Sequence, residues 1–401
     1  MSNQNSKQIT NNEKHDSKMQ NYALITRGIK HWGLSGYSSI LPRIKFGVTG
    51  QESSPQSPTF HTAAVVFHPA RKPYKRIMCL NFLIKKITTM FRNLLLSTLL
   101  AILPQIYCYS QHRDIILDAD TGNEMDDIYA IVRILLEKSV NVIGITSAHF
   151  NNVELVTEPM WHIYPTKGIN TVQISQDLNE KILTVLNKTD IPAPIGCKRM
   201  VGYPWGFYRG APIPESPAVD FIIKKANGYS PERKLNIMCI GAVTNVASAI
   251  LKAPEISRNI RLYVLAMDND DKDNWNKNSF NALNDLNGLD IILKTTDLEL
   301  FIIPDKVSRT LVFQREETIE KLSSLNHPIK EILIKRWDEV SAGKTWIMWD
   351  IALVQAFIDP SMTTIKTLPA PPENGGRPVK VITGINVNAI IQEFWNVLQK
   401  L

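Results

Sequence analysis

From Asp114 onward, short apolar runs alternate with amphipathic stretches, and this alternation constrains the fold more than any other feature of the chain. The runs 115–117, 140–146, 235–240 and 260–266 are short and rich in Ile, Val and Leu, as buried strands require. The stretches 127–138, 181–186, 218–226 and 246–251 space their apolar residues as one face of a helix does. Strands alternating with helices predict parallel βαβ units, and hence an α/β domain: an open, mostly parallel sheet flanked by helices. In such sheets the ligand crevice lies at the carboxyl ends of the strands. The acidic and polar clusters of this chain fall just past those ends.

The first cluster is the most informative. Asp118-Ala-Asp120-Thr-Gly-Asn-Glu-Met-Asp126-Asp127 places five carboxylates in ten residues, directly after an apolar strand. Unpaired, these charges would repel one another in a confined site. A hard divalent cation removes that cost, and carboxylate oxygens are its preferred ligands. Gly122 lets the backbone turn sharply, and Asp126 and Asp127 open a helix, where carboxylates meet its positive end. A bare D-x-D would read as a solvated acidic turn with a helix cap. The D-x-D joined to D-D between a strand and a helix predicts a metal site.

This stretch resembles the D-x-D-x-G-x-D-D signature of inosine-uridine-type nucleoside hydrolases, in the branch that reads D-T-G-N-E-x-D-D. Four further segments match that family in order: Gly144-Ile-Thr-Ser-Ala-His-Phe-Asn151, Cys239-Ile-Gly-Ala-Val-Thr244-Asn245-Val-Ala, Asn278-Ser-Phe-Asn281 and Trp349-Asp350. Each is weak alone; their shared order is what carries the resemblance. It implies that Asp120, Asp127 and Asp350 bind Ca²⁺ through carboxylates and Thr244 through its backbone carbonyl. It implies further that Asp120 accepts the proton of the attacking water, and that Asp126, Asn151 and Asn281 hold the ribose. Asp118 would support these groups from behind.

Two positions depart from the family pattern. Ser279 stands where the family has a sugar-binding Glu, with Glu124 and Asp285 as candidates to compensate. Trp349 stands where it has a His that assists the departing base; it is expected to contact the substrate by packing or stacking, with His149 and His162 as alternative proton donors. The aromatic loop Tyr203-Pro-Trp-Gly-Phe-Tyr-Arg209 is rich in Pro and Gly and is a candidate substrate contact. The expected reaction is Ca²⁺-dependent hydrolysis of the N-glycosidic bond of a ribonucleoside. The alternatives are hydrolysis of another glycoside and metal-dependent carbohydrate binding. A lesser one is a phosphatase of the haloacid-dehalogenase type with Asp118 as nucleophile, since Asp118-Ala-Asp120-Thr121 also fits D-x-D-x-T.

The charge is unevenly placed. Residues 1–92 hold 14 Lys and Arg against 3 Asp and Glu and the remainder 31 against 35, so all of the formal excess of +7 lies outside the expected catalytic domain. No nucleic-acid motif accompanies it, and nucleic acid is not an expected partner. The expected partners are a small nucleoside or glycoside and further copies of this chain in a homo-oligomer. Lys85, Lys86 and Arg92, the apolar run 93–107, and the segment Cys108-Tyr-Ser110 follow the basic, apolar, small-residue order of a signal peptide. The run is short for a membrane span, and Pro104 interrupts it. The organisation read from sequence is therefore an N-terminal extension at 1–89, a signal peptide at 90–110 and a nucleoside hydrolase-like domain at 111–401. The mature protein is expected to be secreted or periplasmic, with no stable membrane span. Cys239 sits in an apolar run and reads as a buried thiol rather than half of a disulfide with Cys197.

Overall fold

In the computed structural model, residues 83–95, 113–150, 169–270, 272, 274–340 and 342–401 are described, and all of them belong to one unit, Asn81–Leu401. The central element is β1 (Arg113–Ala119), flanked in parallel by β2 (Val140–Ser147) and β3 (Leu235–Cys239). Next come β4 (Ile260–Leu265), a hairpin of β5 (Asp268–Asn269) with β6 (Trp275–Asn276), and β7 (Glu299–Ile303). A second small pair joins β8 (Val312–Gln314) to β9 (Thr345–Ile347). β10 (Thr363–Pro369) and β11 (Pro378–Ile385) complete the main sheet of seven strands, ordered β10-β11-β7-β4-β3-β1-β2. Only β10 runs antiparallel to its neighbour, at one edge. The parallel core agrees with the expected α/β fold.

Alternation along the strands sends side chains to two separate layers. Ile115 and Leu117 of β1 pack in one apolar core, whereas Ile116 packs in the other. The first layer includes α1 (Asp126–Leu135), α9 (Ile329–Glu339), α10 (Trp349–Ile358) and α11 (Val387–Leu398). The second includes α3 (Pro217–Ala226), α4 (Thr244–Lys252) and α6 (Leu286–Lys294). α1 is buried along its whole length, because it lies against α10 and is closed over by α9. There Trp337 donates its indole N–H to the Tyr129 hydroxyl at 2.9 Å, and Tyr129 donates to the Leu333 carbonyl.

The expected helix at 181–186 is the end of a longer one, α2 (Thr171–Val185). Its first turns bury Thr171, Ser175, Gln176 and Asn179, polar residues that break the apolar periodicity. Three of these bond the turn after β1 and the chain beyond α2: Thr121 donates to Asn179, the Gly122 N–H to Ser175, and Gln176 to the Ala193 carbonyl. Cys197 and Cys239 are both free and buried. A helix covers 83–95 with every residue exposed; the remainder of the expected signal segment, and residues 1–82, lie outside the described residues. Among the described residues no helix is long and apolar enough to cross a membrane.

Candidate active site

α1 and α10 lie side by side, and their first turns converge at the carboxyl end of β1. The first turn of α1 supplies Asp126 and Asp127, and that of α10 supplies Asp350. One carboxylate oxygen from each lies within 4.8 Å of the other two, and all three residues are buried. Asp126 Oδ2 accepts the Asp350 backbone N–H at 3.1 Å. Asp120 follows directly on β1 and joins the group. Its approach to the chain after β3 depends on Gly241, where a Cβ would sit 2.7 Å from Asp120 Oδ1.

Burial, and then mutual repulsion, dominates the electrostatics of this group. Burial pushes Asp120 up to about 8, with the Asp126 and Asp118 charges adding to the rise. Asp126 is held lower, at about 6, because burial is opposed by the Asp350 N–H. Asp127 and Asp350 are both raised well above the carboxylate range, by burial first and by the neighbouring aspartates second. Among the described residues, one oxygen on each of Asp120, Asp126 and Asp127 is buried without any hydrogen-bond partner. Orphaned buried acceptors are rare in folded proteins. Here they are clustered, anionic and all oxygen, which is the donor set a hard divalent cation takes.

The turn between Asp120 and Asp126 is held by a residue that sequence reasoning missed. Arg336 of α9 reaches the turn from more than 200 positions along the chain. Its Nη2 donates to the carbonyls of Gly122 (2.9 Å) and Glu124 (3.0 Å) and shares those two hydrogens with Asn123 O (3.3 Å) and Thr121 O (3.4 Å), and its Nε donates to Glu124 O at 3.1 Å. It is also the cation whose field opposes the rise of Asp127. No local pattern signals such a long-range contact.

Behind the cluster lies a closed polar layer. Asp118 is fully buried; it accepts from Thr146 at 2.6 Å and from Asn245 Nδ2 at 2.8 Å. That occupation and burial rule it out as a nucleophile, and with it the phosphatase alternative. Asn245 also donates to Ser147 O and accepts from Cys197 N, tying the ends of β1 and β2 to the loop at Cys197. Thr244 opens α4, and its hydroxyl donates to Asp285 Oδ2 at 2.6 Å while contacting His149 Nε2 at 2.8 Å. With that hydroxyl proton committed to Asp285, His149 carries its proton on Nε2. Burial lowers the His149 pKa to about 4, so near neutrality it is not a charged proton donor. Asp285 is saturated, accepting also from Val201 N and Gly288 N.

The remaining expected site residues are placed as follows. Asn281 donates both amide hydrogens to carbonyls at the ends of β3 and β4, Ile240 O at 3.0 Å and Leu265 O at 3.1 Å. Only its Oδ1 is left to meet a ligand. Ser279 caps the short helix α5 (Phe280–Asn284) and accepts from Met267 N at 3.0 Å. Met267 itself holds a positive φ of 66°, a strained setting for a non-glycine residue. Trp349 is half-buried beneath the Arg309 guanidinium, 5.6 Å from its ring centre. Asn151 and His162 lie outside the described residues. In the aromatic loop, Tyr203 stacks on Trp205 at 4.9 Å and on Tyr208 at 5.8 Å. The loop is anchored by Asn287, which donates to Val201 O and Tyr203 O.

The sequence profile of the inosine-uridine preferring nucleoside hydrolases matches residues 115–392. The chain belongs to this nucleoside hydrolase family. The matched span runs from β1 into α11 and so contains the whole acidic cluster. Solved nucleoside hydrolases share the fold at low identity. A plant nucleoside hydrolase, PpNRh1, superposes with a TM-score of 0.55 at 16% identity, covering 73% of this chain and 100% of its own. An inosine-uridine preferring nucleoside hydrolase from Bacillus anthracis superposes with a TM-score of 0.54 at 14% identity, covering 72% of this chain and 100% of its own. A probable uridine nucleosidase 2 of Arabidopsis thaliana is 28% identical over 158 residues, 38% of this chain. The match spans 46% of that relative, about half its length.

Proposed function

We propose that this nucleoside hydrolase-family chain is an exported, Ca²⁺-dependent enzyme that cleaves the N-glycosidic bond of a ribonucleoside. The observation that carries the proposal is the buried cluster of Asp120, Asp126, Asp127 and Asp350 with three orphaned oxygens. Asp120, Asp127 and Asp350 would hold the cation through carboxylates and Thr244 through its backbone carbonyl. When bound, the cation supplies positive charge that offsets the cluster's repulsion and lowers the pKa of water.

The chain's own groups then have distinct tasks. Asp120 accepts the proton of the attacking water, a role the family pattern gives it and its place at the carboxyl end of β1 beside the other carboxylates supports. Asp126 shares the convergence point of the two helices, so its free oxygen can meet a sugar hydroxyl beside the cation. Asn281 offers Oδ1, and Asn151 is assigned to the ribose on the family pattern. Trp349 contributes packing, because its indole N–H does not titrate in the relevant range. With His149 held neutral, a base that leaves without protonation is favoured. Export through the segment 90–110 is part of the proposal and is supported by its basic, apolar, small-residue order.

A second substrate class, a non-ribose glycoside, is favoured by one observation: Ser279 accepts from Met267 N and caps α5, so it is engaged by the fold where the family has a sugar-binding carboxylate. The deciding assay measures kcat/KM for inosine, uridine, a nitrophenyl riboside and a panel of nitrophenyl hexosides, with and without EDTA. The proposal expects EDTA-sensitive turnover of the ribosides, with the nitrophenyl riboside best. Turnover of hexosides alone moves the assignment to the second class. Ligand binding without any turnover would contradict both.

A further inference from the structure

We propose that Trp346 is a specificity-determining residue: its indole N–H and the free oxygen of Asp126 together bind one hydroxyl of the substrate sugar. This rests on the nucleoside assignment above and adds a donor to it. The pairing of β8 with β9 aims the indole. Trp346 lies directly opposite Phe313 in that antiparallel pair, so both side chains leave the same face. Phe313 meets Tyr129 edge-on, with ring centres 6.3 Å apart, and Tyr129 stands about one turn beyond Asp126 on α1. Four residues after Trp346, the Asp350 N–H bonds Asp126 Oδ2 at 3.1 Å. The hairpin and the start of α10 thus bring the indole and Asp350 together at the first turn of α1.

Each of the two groups is incomplete. Trp346 is half-buried as a residue, yet its Nε1 is shut away from solvent and has no hydrogen-bond partner among the described residues. Asp126 Oδ1 is buried and orphaned in the same way. Burial raises the Asp126 pKa, the Asp350 N–H opposes that rise, and the Trp346 side chain adds to the opposition. The indole therefore faces the carboxylate without closing a bond of ordinary geometry on it. A buried indole N–H can only donate, and its lost hydration stays uncompensated until an acceptor arrives.

The donor sets Asp126 Oδ1 apart from the orphaned oxygens of Asp120 and Asp127. Those two suit a cation, whereas the positive end of an N–H dipole repels one. It also selects among ligand groups. A carboxylate or phosphate is repelled by the aspartates, and an ammonium group offers Nε1 no acceptor. A hydroxyl completes both atoms at once: it donates its hydrogen to Asp126 Oδ1 and accepts the indole N–H on a lone pair. Asp126 alone would accept from any donor; the pair accepts only a group that can do both. Water shares that chemistry, and the test below separates it from a sugar hydroxyl.

Two measurements test this. Wild-type crystals soaked in calcium and ribose should show one sugar hydroxyl within ~2.7–3.2 Å of both Trp346 Nε1 and Asp126 Oδ1. Trp346→Phe keeps an aromatic ring and removes the N–H. On uridine, W346F should lose ~3–10-fold in kcat/KM, as a neutral hydrogen bond predicts. Of the 2′-, 3′- and 5′-deoxy analogues, the one lacking the bound hydroxyl should separate the two proteins by less than ~2-fold on the same basis. The other two should keep the uridine loss, and calcium affinity measured by calorimetry should be unchanged. A water at that position with ribose bound elsewhere, or a direct bond from Nε1 to Asp126, overturns the role even where W346F fails to fold. An equal loss on all four substrates overturns it as well, since lost packing alone explains that pattern. So does a W346F protein indistinguishable from a wild type that cleaves uridine, which leaves the nucleoside assignment intact. A wild type that neither cleaves uridine nor binds ribose refutes that assignment, and the role of Trp346 with it.

Discussion

Removing calcium should make stability fall as pH rises through neutrality, and restoring it should reverse that fall. In the metal-free chain Asp126 has its pKa raised from 3.8 to about 6 by burial. A raised carboxyl binds its proton more tightly folded than unfolded. Its contribution is therefore fully present below about pH 4, the ordinary Asp value, and is lost as pH rises through about 6. Asp120, raised to about 8, extends the same loss toward pH 8. The rise at Asp126 alone corresponds to roughly 3 kcal/mol. Only about 1.4 kcal/mol of that falls between pH 5 and pH 8, and Asp120 adds to it while His149, lowered to about 4, offsets part of it; at about 2 °C of Tm per kcal/mol for a domain of this size, the metal-free Tm should drop by ~3 °C or more over that range. Calcium at about 100 times its Kd adds ~2.7 kcal/mol, and more of that appears at pH 8, where the ligands ionise readily. Scanning fluorimetry in EDTA and in calcium at pH 5, 6, 7 and 8 measures both slopes. A metal-free Tm that is flat or rising across this range, with no calcium effect at pH 8, would refute the argument.

Three other outcomes follow from particular contacts. Gly241→Ala should cut turnover at least ~10-fold with little change in circular dichroism, because the added Cβ would lie 2.7 Å from Asp120 Oδ1 and displace the group assigned as base. Arg336→Ala removes the short bonds to Gly122 O and Glu124 O and should lower stability by about 2–4 kcal/mol and weaken calcium binding; urea denaturation and calorimetry check both, and an unchanged calcium affinity would show that the turn needs no clamp. Intact-mass analysis of exported protein should find a mature N-terminus near Gln111, and a mature form retaining residues 1–90 would defeat the signal assignment.

The parallel core was legible because each of its early strands is a short apolar run. The runs 115–117, 140–146, 235–240 and 260–266 lie in β1 to β4 or overrun them by a residue. α2 was only partly legible, since Ser175, Gln176 and Asn179 are buried to make hydrogen bonds rather than apolar contacts. The pairing of Asp126 and Asp127 with Asp350, 223 positions from Asp127, came from the ordered family motifs; only the packing of α1 on α10 brings them together in space. Arg336 was invisible, because one guanidinium serving four carbonyls leaves no spacing in its own neighbourhood. Ser279 read as a missing carboxylate, and the fold gives it a different task at the start of α5.

The most direct test of the central claim is an anomalous difference map from crystals soaked in calcium, recorded at long wavelength. One strong peak is expected among Asp120, Asp127 and Asp350, with oxygens at ~2.3–2.6 Å. The buried sulfurs of Cys197 and Cys239 provide the internal reference. Sulfur peaks at those cysteines with no peak in the aspartate cluster would contradict the claim.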